Sequence, residues 1–245
     1  MAGKQRHFPY QHPTFGRKTS PKPSSAWQRS VYYWWFEYLR RHDGYALTCK
    51  RGGKGKFSKL YADFGDVHAA DFKTWWTTDN RGAELFAEPK SVRELQLVNL
   101  DDLQGIAADP TIAYVQVPLN LPKRFLKQEF AKLLLKHHQG KRGVRHARSS
   151  NARYAVHGQP NMPALRITLQ VYDLRKAEPD LKLWQIGERL RLFQMEQLPA
   201  AGDTALTVAN KRNIMAATVS RYLRKAEAMI ENVGKGIFPK PTKEK

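Results

Sequence analysis

The amino-acid sequence predicts a mostly helical protein of the α+β class. Apolar residues recur every three or four positions in several segments, and this is the period of a helix with one buried face. Between residues 85 and 118 the apolar residues instead alternate with polar ones or are β-branched, which favours the strands of a small sheet. The chain has 245 residues, of which 41% are hydrophobic, so it can bury a substantial core and general disorder is not expected.

The chain begins with a basic arm, which is followed by a helix that is aromatic nearly all round. Residues 1–25 contain several prolines and glycines and no acidic residue, and this composition predicts a flexible arm. A helix is expected over residues 25–41, because its apolar stripe has spacings of four, three and four positions. The residues of this stripe are Trp27, Val31, Trp34 and Tyr38. Further rings between residues 32 and 36 predict that the helix is buried on more than one side.

A short helix and two strands are predicted next. The helix is expected over residues 71–78, which include two tryptophans. The strands are expected at Leu95–Val98 and Ile112–Val117, because these residues alternate in polarity or are β-branched. They would form the small sheet of an α+β domain.

A longer helix is expected to close this N-terminal domain. It should span residues 120–138, with a proline in its first turn. One side carries Leu126, Phe130, Leu133 and His137. The predicted domain is residues 26–138, and a basic linker at residues 139–160 is expected to follow it.

Charge is the main constraint on the partner. Lys and Arg number 42 against 22 Asp and Glu, a formal net charge of +20, and such a surface attracts polyanions. Residues 61–110 carry ten acidic and four basic residues, a net of −6, so the remainder carries +26. We expect nucleic acid as the partner, although ribosomal and membrane-surface proteins have a similar charge balance. The N-terminal part, which includes this acidic section, is expected to be free to contact another protein.

The sequence also argues against several classes of protein. The single cysteine, Cys49, excludes an internal disulfide framework and favours a reducing compartment. The first 25 residues lack the apolar region of a secretory signal. No run of about 18 uncharged apolar residues is present to span a membrane. We therefore expect a cytoplasmic, nucleoid-associated protein with no membrane partner.

Three helices are predicted in the last third of the chain, over residues 161–177, 181–193 and 210–232. The second has apolar residues spaced by three, four and three positions. These are Leu183, Ile186, Leu190 and Phe193. Gly187 lies beside this stripe, where the lack of a side chain is expected to let another helix approach closely.

The last helix carries the residues expected to contact DNA. One side has a long apolar stripe, which is typical of a buried core and has a dimer seam as its alternative. The stripe consists of Met215, Val219, Tyr222, Ala226, Met229 and Val233. The opposite side carries hydroxyl and basic groups, which suit base edges and phosphates. The predicted groove contacts are Thr218, Ser220, Arg221, Arg224 and Lys225.

Two pieces of this region resemble a helix-turn-helix. Residues 186–192, Ile-Gly-Glu-Arg-Leu-Arg-Leu, are similar to the usual positioning helix and turn, with Arg191 where a turn glycine is common. Residues 218–223, Thr-Val-Ser-Arg-Tyr-Leu, resemble the start of a recognition helix in bacterial regulators, invertases and sigma-factor-like domains. Residues 193–217 separate the pieces, so the resemblance implies an insertion. It also implies a DNA-binding domain at residues 161–238, which a short basic tail at 239–245 follows.

A second basic region is expected to hold phosphates without choosing a sequence. Residues 122–153 contain ten basic residues and one acidic residue, and cations at this density release counterions when they meet a nucleic-acid backbone. The predicted phosphate contacts are Lys123, Arg124, Lys127, Arg142, Arg145 and Arg148.

Other functions are kept as alternatives. An RNA-binding or ribonucleoprotein component fits the charge equally well. A metal-dependent nuclease or recombinase subunit would use Asp63, Asp66 and Asp71, with His68 beside them. The rings between residues 32 and 38 suit base stacking if they are exposed. The loop Arg51–Lys56 has the composition of a phosphate contact but lacks the order of a Walker motif.

These observations predict a non-enzymatic protein that binds double-stranded DNA, in the manner of a bacterial or mobile-element regulator. It is expected to use no cofactor and no metal ion. A homodimer that binds paired half-sites is compatible with the last helix.

Overall fold

The computed structural model describes residues 8–17, 19–88, 113–137, 150 and 152–244. The strands are β1 Gly16–Arg17 and β2 Ser20–Pro21, and the helices are α1 Val31–Arg40, α2 Asp43–Lys50, α3 Ser58–Phe64, α4 Phe72–Thr77, α5 Arg81–Phe86, α6 Lys123–His137, α7 Met162–Ala177, α8 Leu183–Arg189 and α9 Ala205–Val233. Short 3-10 helices occupy Ser24–Arg29, Thr78–Asn80 and Met195–Gln197. The predicted class, mostly helical α+β, is confirmed.

The described residues fall into two compact units. The first consists of residues 8–88 and 150–244, and the second of residues 113–137. In the second unit α6 is close to the predicted helix over 120–138. Its stripe of Leu126, Phe130 and Leu133 is half-buried, whereas His137, placed on the same side by the prediction, is exposed.

One hydrophobic core joins the two segments of the first unit. The Tyr38 hydroxyl of α1 donates to the Leu165 carbonyl of α7 at 3.0 Å. The ring centroids of Trp35 and Phe238 are 5.5 Å apart, and Phe238 lies beyond the end of α9. The sequence predicted two domains separated by a linker at residues 139–160. In the structure, one core contains residues from both sides of that segment. A helix with rings on nearly every side needs several packing partners, and α7 and α9 are among them.

Helix α1 forms the centre of this core, and its burial on more than one side is confirmed. Tyr32, Trp34, Trp35, Phe36 and Tyr38 are each at most 5% exposed. Rings from α3, α4 and α5 surround them, namely Phe64, Phe72, Trp75, Trp76 and Phe86. Base stacking on α1 is excluded, since a nucleobase needs an accessible ring face.

The N-terminal residues 8–15 pack on the same core. The ring centroids of Phe8 and Trp76 are 5.8 Å apart, and the Tyr10 hydroxyl donates to the Gly158 carbonyl at 2.6 Å. The prediction of a flexible arm is wrong for these residues, because burial of their rings lowers the free energy of the folded chain. The first seven residues lie outside the described part.

The small sheet is present, but its position differs from the prediction. Its strands, β1 and β2, pair antiparallel close to the N-terminus. Residues 113–118 form neither helix nor strand and are exposed, so the strand predicted there is wrong. The other predicted strand, Leu95–Val98, and Ile112 lie outside the described residues. A β-branched run forms a strand only where a neighbour accepts and donates its backbone hydrogen bonds.

Three short helices, α2, α3 and α5, were not predicted. Each has eight residues or fewer, which is too short to show a repeated stripe. Local caps help to define such helices. At the start of α2, His42 Nδ1 accepts the Tyr45 N–H at 3.0 Å, and at the start of α4 the Asp71 carboxylate accepts the Thr74 N–H at 2.8 Å. The short helix predicted over residues 71–78 is confirmed as α4.

The C-terminal residues fold back on α9. Asn232 is fully buried, and its side-chain amide donates to the carbonyls of Lys240 at 2.9 Å and Thr242 at 2.7 Å. Its carbonyl oxygen accepts the Glu244 N–H at 3.0 Å. The predicted basic tail is therefore packed against the helix through residue 244, because a buried amide must find partners for its donors and acceptor.

Candidate nucleic-acid interface

Helices α7, α8 and α9 pack around a small second cluster. Its fully buried residues come one from each helix, namely Val171, Ile186 and Val219. Leu183, Leu190, Phe193 and Tyr222 pack against them, as their apolar spacing predicted. This three-helix arrangement positions α9, and with it the predicted DNA contacts.

Gly187 allows the close approach of α8 and α9 that the sequence predicted. A Cβ on this residue would come within 2.3 Å of the Phe193 ring and 3.2 Å of Val219 Cγ2 on α9. The first distance is too short for carbon atoms and the second is unusually tight, so a larger residue requires the Phe193 ring to shift and Val219 to give slightly.

Helix α8 ends earlier than predicted, at Arg189, in a Schellman motif. The Leu192 N–H donates to the Gly187 carbonyl at 3.0 Å, and the Arg191 N–H donates to the Glu188 carbonyl at 2.9 Å. Arg191 has a φ of 51°, which is the left-handed conformation that glycine usually adopts at this position. The resemblance placed Arg191 where a turn glycine is common, and the backbone there has the conformation of such a turn.

Helix α9 begins five residues earlier than predicted. The Thr204 hydroxyl caps it by accepting the Thr207 N–H at 3.2 Å. About two turns after Thr204, the Lys211 ammonium donates to the Leu198 carbonyl at 2.9 Å and to the Asp203 carboxylate at 2.8 Å. This hydrogen bond lowers the pKa of Asp203. These contacts tie the connection between α8 and α9 to the first turns of α9.

The early start changes where the predicted contacts lie. Residues 218–225 were expected near the beginning of a recognition helix, and they lie in the middle of a helix of 29 residues. Helix-turn-helix proteins contact bases with the N-terminal residues of the recognition helix. The predicted contacts at residues 218–225 therefore lie on the side of α9 and not at its N-terminal end.

The apolar stripe of α9 is part of the core. Met215, Val219, Ala226, Met229 and Val233 are each at most 4% exposed, and Tyr222 is half-buried. The prediction of a buried stripe is confirmed. A dimer seam through the same stripe is excluded, because its side chains already pack within the chain.

The predicted groove contacts divide by exposure. Arg221, Arg224 and Lys225 are exposed, whereas Thr218 and Ser220 are half-buried. Two basic side chains near them are engaged elsewhere in the chain. Arg212 lies over the Trp184 ring, 4.3 Å from its centroid, and Arg189 donates to the Glu178 carboxylate at 2.6 Å.

Four cations of this region have no such partner. Within the described residues no ion pair or hydrogen bond involves the side chains of Arg191, Arg221, Arg224 and Lys225. All four side chains are exposed. Three of them lie on α9 and Arg191 lies in the turn after α8, and all four are free to meet a phosphate or a base edge.

The exposed side of α9 extends further towards its N-terminus than the sequence predicted. It follows spacings of four, three, four and three positions, which place its members on one face. We call this row the α9 face, and it consists of Asn210, Ile214, Ala217, Arg221 and Arg224. Its 14-residue span is about 21 Å long. The first three members were missed because only hydroxyl and basic side chains were considered as contacts, although all of them lie within the helix predicted over residues 210–232.

The predicted phosphate contacts lie on α6 or outside the described residues. Lys123, Arg124 and Lys127 are exposed on α6, as phosphate binding requires. The other three predicted contacts, Arg142, Arg145 and Arg148, lie outside the described part of the chain.

The acidic residues proposed for a nuclease have separate structural partners. Asp63 accepts the Tyr154 hydroxyl at 2.6 Å and pairs with Arg153. Asp66 accepts the backbone N–H of His68, and Asp71 caps α4. Throughout the described ranges there is no group of three or more His, Cys, Asp or Glu side chains that could hold a metal ion. The carboxylates therefore do not form the shared site that this alternative requires.

Comparisons with protein-family models, curated protein sequences and solved structures give no significant match. No helix among the described residues is long and apolar enough to cross a membrane. The geometry and charge of the α9 face thus carry the functional argument.

Proposed function

We propose that this protein binds nucleic acid without chemical catalysis and that its preferred ligand is duplex DNA, which lies along the α9 face. The observation that carries the proposal is the set of exposed, unpaired cations described above, three on α9 and Arg191 in the turn after α8. Unpaired cations on a protein of net charge +20 bind phosphates through counterion release.

The composition of the α9 face favours base edges as well as phosphates. Asn is suited to adenine and Arg to guanine in the major groove, and small apolar side chains suit the thymine methyl group. The row combines Asn210, Ala217 and Arg221 in this way. Ile214 is 63% exposed, and contact with a thymine methyl group would shield it from water. The major groove of RNA is too narrow for side chains to be read in this manner.

The test compares ligands and variants in a salt series. Binding of a labelled DNA duplex, a single strand and an RNA duplex is measured for the wild type and for Arg221→Ala/Arg224→Ala. A charge-matched control, Arg29→Ala/Lys73→Ala, removes two exposed cations from the aromatic part of the first unit. We expect the wild type to prefer the DNA duplex, and we expect the α9 pair to lose at least tenfold more affinity than the control, since each contact is worth about 1–3 kcal/mol.

Either of two results contradicts the proposal. Equal affinity of the two variants for duplex DNA would remove the α9 face from the interface. A wild-type preference for the RNA duplex, unchanged in Arg221→Ala/Arg224→Ala, would favour an RNA-binding protein that uses another surface.

A further inference from the structure

We propose that the loop between α2 and α3 is a second contact to the phosphate backbone of the nucleic acid bound at the α9 face; this inference rests on the proposed function. The loop spans residues 51–57, and residues 50–59 contain no acidic residue. Their five cations are Lys50, Arg51, Lys54, Lys56 and Lys59. All five are exposed, and none has an ion pair within the ranges that the structure describes. Soluble surfaces usually mix both signs of charge, so this segment is suited to a polyanion.

Hydrogen bonds and packing hold the loop in one shape. Gly52 has a φ of 61° and donates its N–H to the Cys49 carbonyl at 2.9 Å. Gly53 donates to the Thr48 carbonyl, also at 2.9 Å, which completes a Schellman motif at the end of α2. A Cβ on Gly53 would lie 2.4 Å from the Tyr61 ring, so the loop rests directly on that ring. Because the loop is already ordered, little conformational entropy is lost when a ligand binds.

The backbone hydrogen bonds of the loop indicate which kind of phosphate ligand it can bind. In nucleotide-binding loops, free backbone N–H groups surround the phosphate. Here the N–H groups of residues 51–54 donate to carbonyls of α2 or of the loop itself. These N–H groups are therefore not available to a phosphate, and the contacts proposed here come from the long lysine and arginine side chains. These reach the outside of an extended phosphate backbone, whereas a mononucleotide needs an enclosing cradle.

His42 connects the loop to the C-terminal end of α9. The ring centroids of His42 and Phe57 are 4.6 Å apart, and a Cβ on Gly234 would lie 2.3 Å from His42 Nε2. Phe57, the residue after Lys56, is therefore linked through His42 to the last turn of α9.

The loop lies near the C-terminal end of α9, further along the helix than the α9 face. Arg224 and Glu231 are seven residues apart, so they lie on the same side of the helix with an axial separation of about 10.5 Å. The last turn of α9, which the loop approaches through Phe57 and His42, therefore lies about this far along the helix axis from Arg224. Duplex DNA carries one phosphate charge for about every 1.7 Å of its axis, so a duplex on the α9 face presents several phosphates over this distance.

The first test measures affinity. Lys54→Gln/Lys56→Gln is compared with Arg29→Gln/Lys73→Gln, which removes the same charge at exposed positions away from the loop. Each phosphate contact contributes a factor of about five at 0.15 M salt, and each steepens the slope of log affinity against log salt concentration by about 0.9. We expect the loop pair to lose about 25-fold in affinity for duplex DNA at 0.15 M salt and to reduce the slope by about two relative to the control.

The second test is a lysine-acetylation footprint of the wild type with and without the duplex. We expect protection of Lys54 and Lys56 on binding and unchanged labelling of Lys73. Equal labelling of Lys54 and Lys56 in the two samples, or a loop pair that binds like its control, would overturn the inference.

The two proposals fail in different ways. If Arg221→Ala/Arg224→Ala weakens binding while the loop pair matches its control, the α9 face stands and the loop inference falls. If the wild type does not bind the duplex, the proposed function fails and the loop inference fails with it.

Discussion

Arg191 adopts a backbone conformation that suits glycine better than arginine. Its φ of 51° strains a residue with a Cβ by about 1 kcal/mol relative to glycine. The two hydrogen bonds that close the end of α8 depend on this conformation and not on the side chain. The guanidinium is exposed and has no partner in the described part of the chain. The fold thus gains nothing visible from the arginine side chain, which agrees with a role in binding nucleic acid.

Two substitutions at this position separate the backbone from the side chain. Arg191→Gly relieves the strain, whereas Arg191→Ala keeps it, and both remove the guanidinium. We expect the free energy of unfolding of the glycine variant to exceed that of the alanine variant by about 1 kcal/mol, measured by urea denaturation. The two variants should bind duplex DNA equally, and more weakly than the wild type. Equal stability of the two variants would show that the turn tolerates a Cβ without strain.

At the residue scale, the sequence predicted the exposure of a side chain correctly when that side chain lay directly opposite the apolar stripe of its helix. Arg221, Arg224 and Lys225 are exposed because the stripe through Val219 is buried on the other side of α9. Thr218 and Ser220 were expected to be equally accessible, but they lie at the edges of this exposed face and are half-buried. Whether a basic side chain forms an ion pair or a ring contact depends on residues that are distant in the sequence. The spacing of apolar residues along one helix carries no information on such contacts.

At the scale of elements, the C-terminal turn of α9 is a junction. Asn232 holds the last residues of the chain through the three hydrogen bonds described above, and Glu231 pairs with Lys235 and Lys243. The hydrogen bond from Lys243 lowers the pKa of Glu231. The loop between α2 and α3 lies beside the same turn through His42. Several separate segments therefore meet at the end of one helix.

Removal of the Asn232 amide should release the C-terminal segment. Asn232→Ala loses three hydrogen bonds at a buried position, and each is worth about 1 kcal/mol, so we expect the free energy of unfolding to fall by about 2–3 kcal/mol in urea denaturation. Hydrogen exchange of the peptide that contains residues 239–244 should also become faster.

Asn210→Ala is the matched control for this change. Asn210 lies on the same helix but is exposed, so its loss should alter stability by less than about 0.5 kcal/mol. If Asn232→Ala behaves like Asn210→Ala in both measurements, the proposed junction does not stabilise the protein.

The longer helices that were predicted correctly share a repeated apolar stripe or a clear start signal, although the shorter α4 and α8 were also predicted. Helices α1, α6, α7 and α9 have 10 residues or more, and each appears in the sequence as a stripe or a proline-led start. The missed helices α2, α3 and α5 are short and contribute rings to the core around α1, and of the three only α2 begins with a side-chain cap. The strand at Ile112–Val117 was expected from local β-propensity, which cannot show whether a pairing strand exists.

At the scale of the whole molecule, burial couples several histidines to folding. Burial lowers the pKa of His12, His42, His68 and His157 below the ordinary value of 6.5. For His42 the neutral form has a clear structural role, since its Nδ1 accepts the N–H that begins α2. Protonation would convert this acceptor into a donor and place another cation in a chain of net charge +20.

The sign of the pH dependence follows from these shifts. A histidine with a lowered pKa binds fewer protons in the folded than in the unfolded state, so stability is full above the unfolded value of about 6.5 and is lost as the pH falls below it. We expect urea denaturation at pH 7.5, 6.5 and 5.5 to give a free energy of unfolding that decreases at the lower values. His42→Asn keeps a capping acceptor but does not titrate, so the decrease should be smaller in this variant, although increased charge repulsion in the folded chain acts equally on both. A wild type whose stability is constant or rises towards pH 5.5 would contradict the prediction, and an unchanged decrease in His42→Asn would remove His42 as one of its causes.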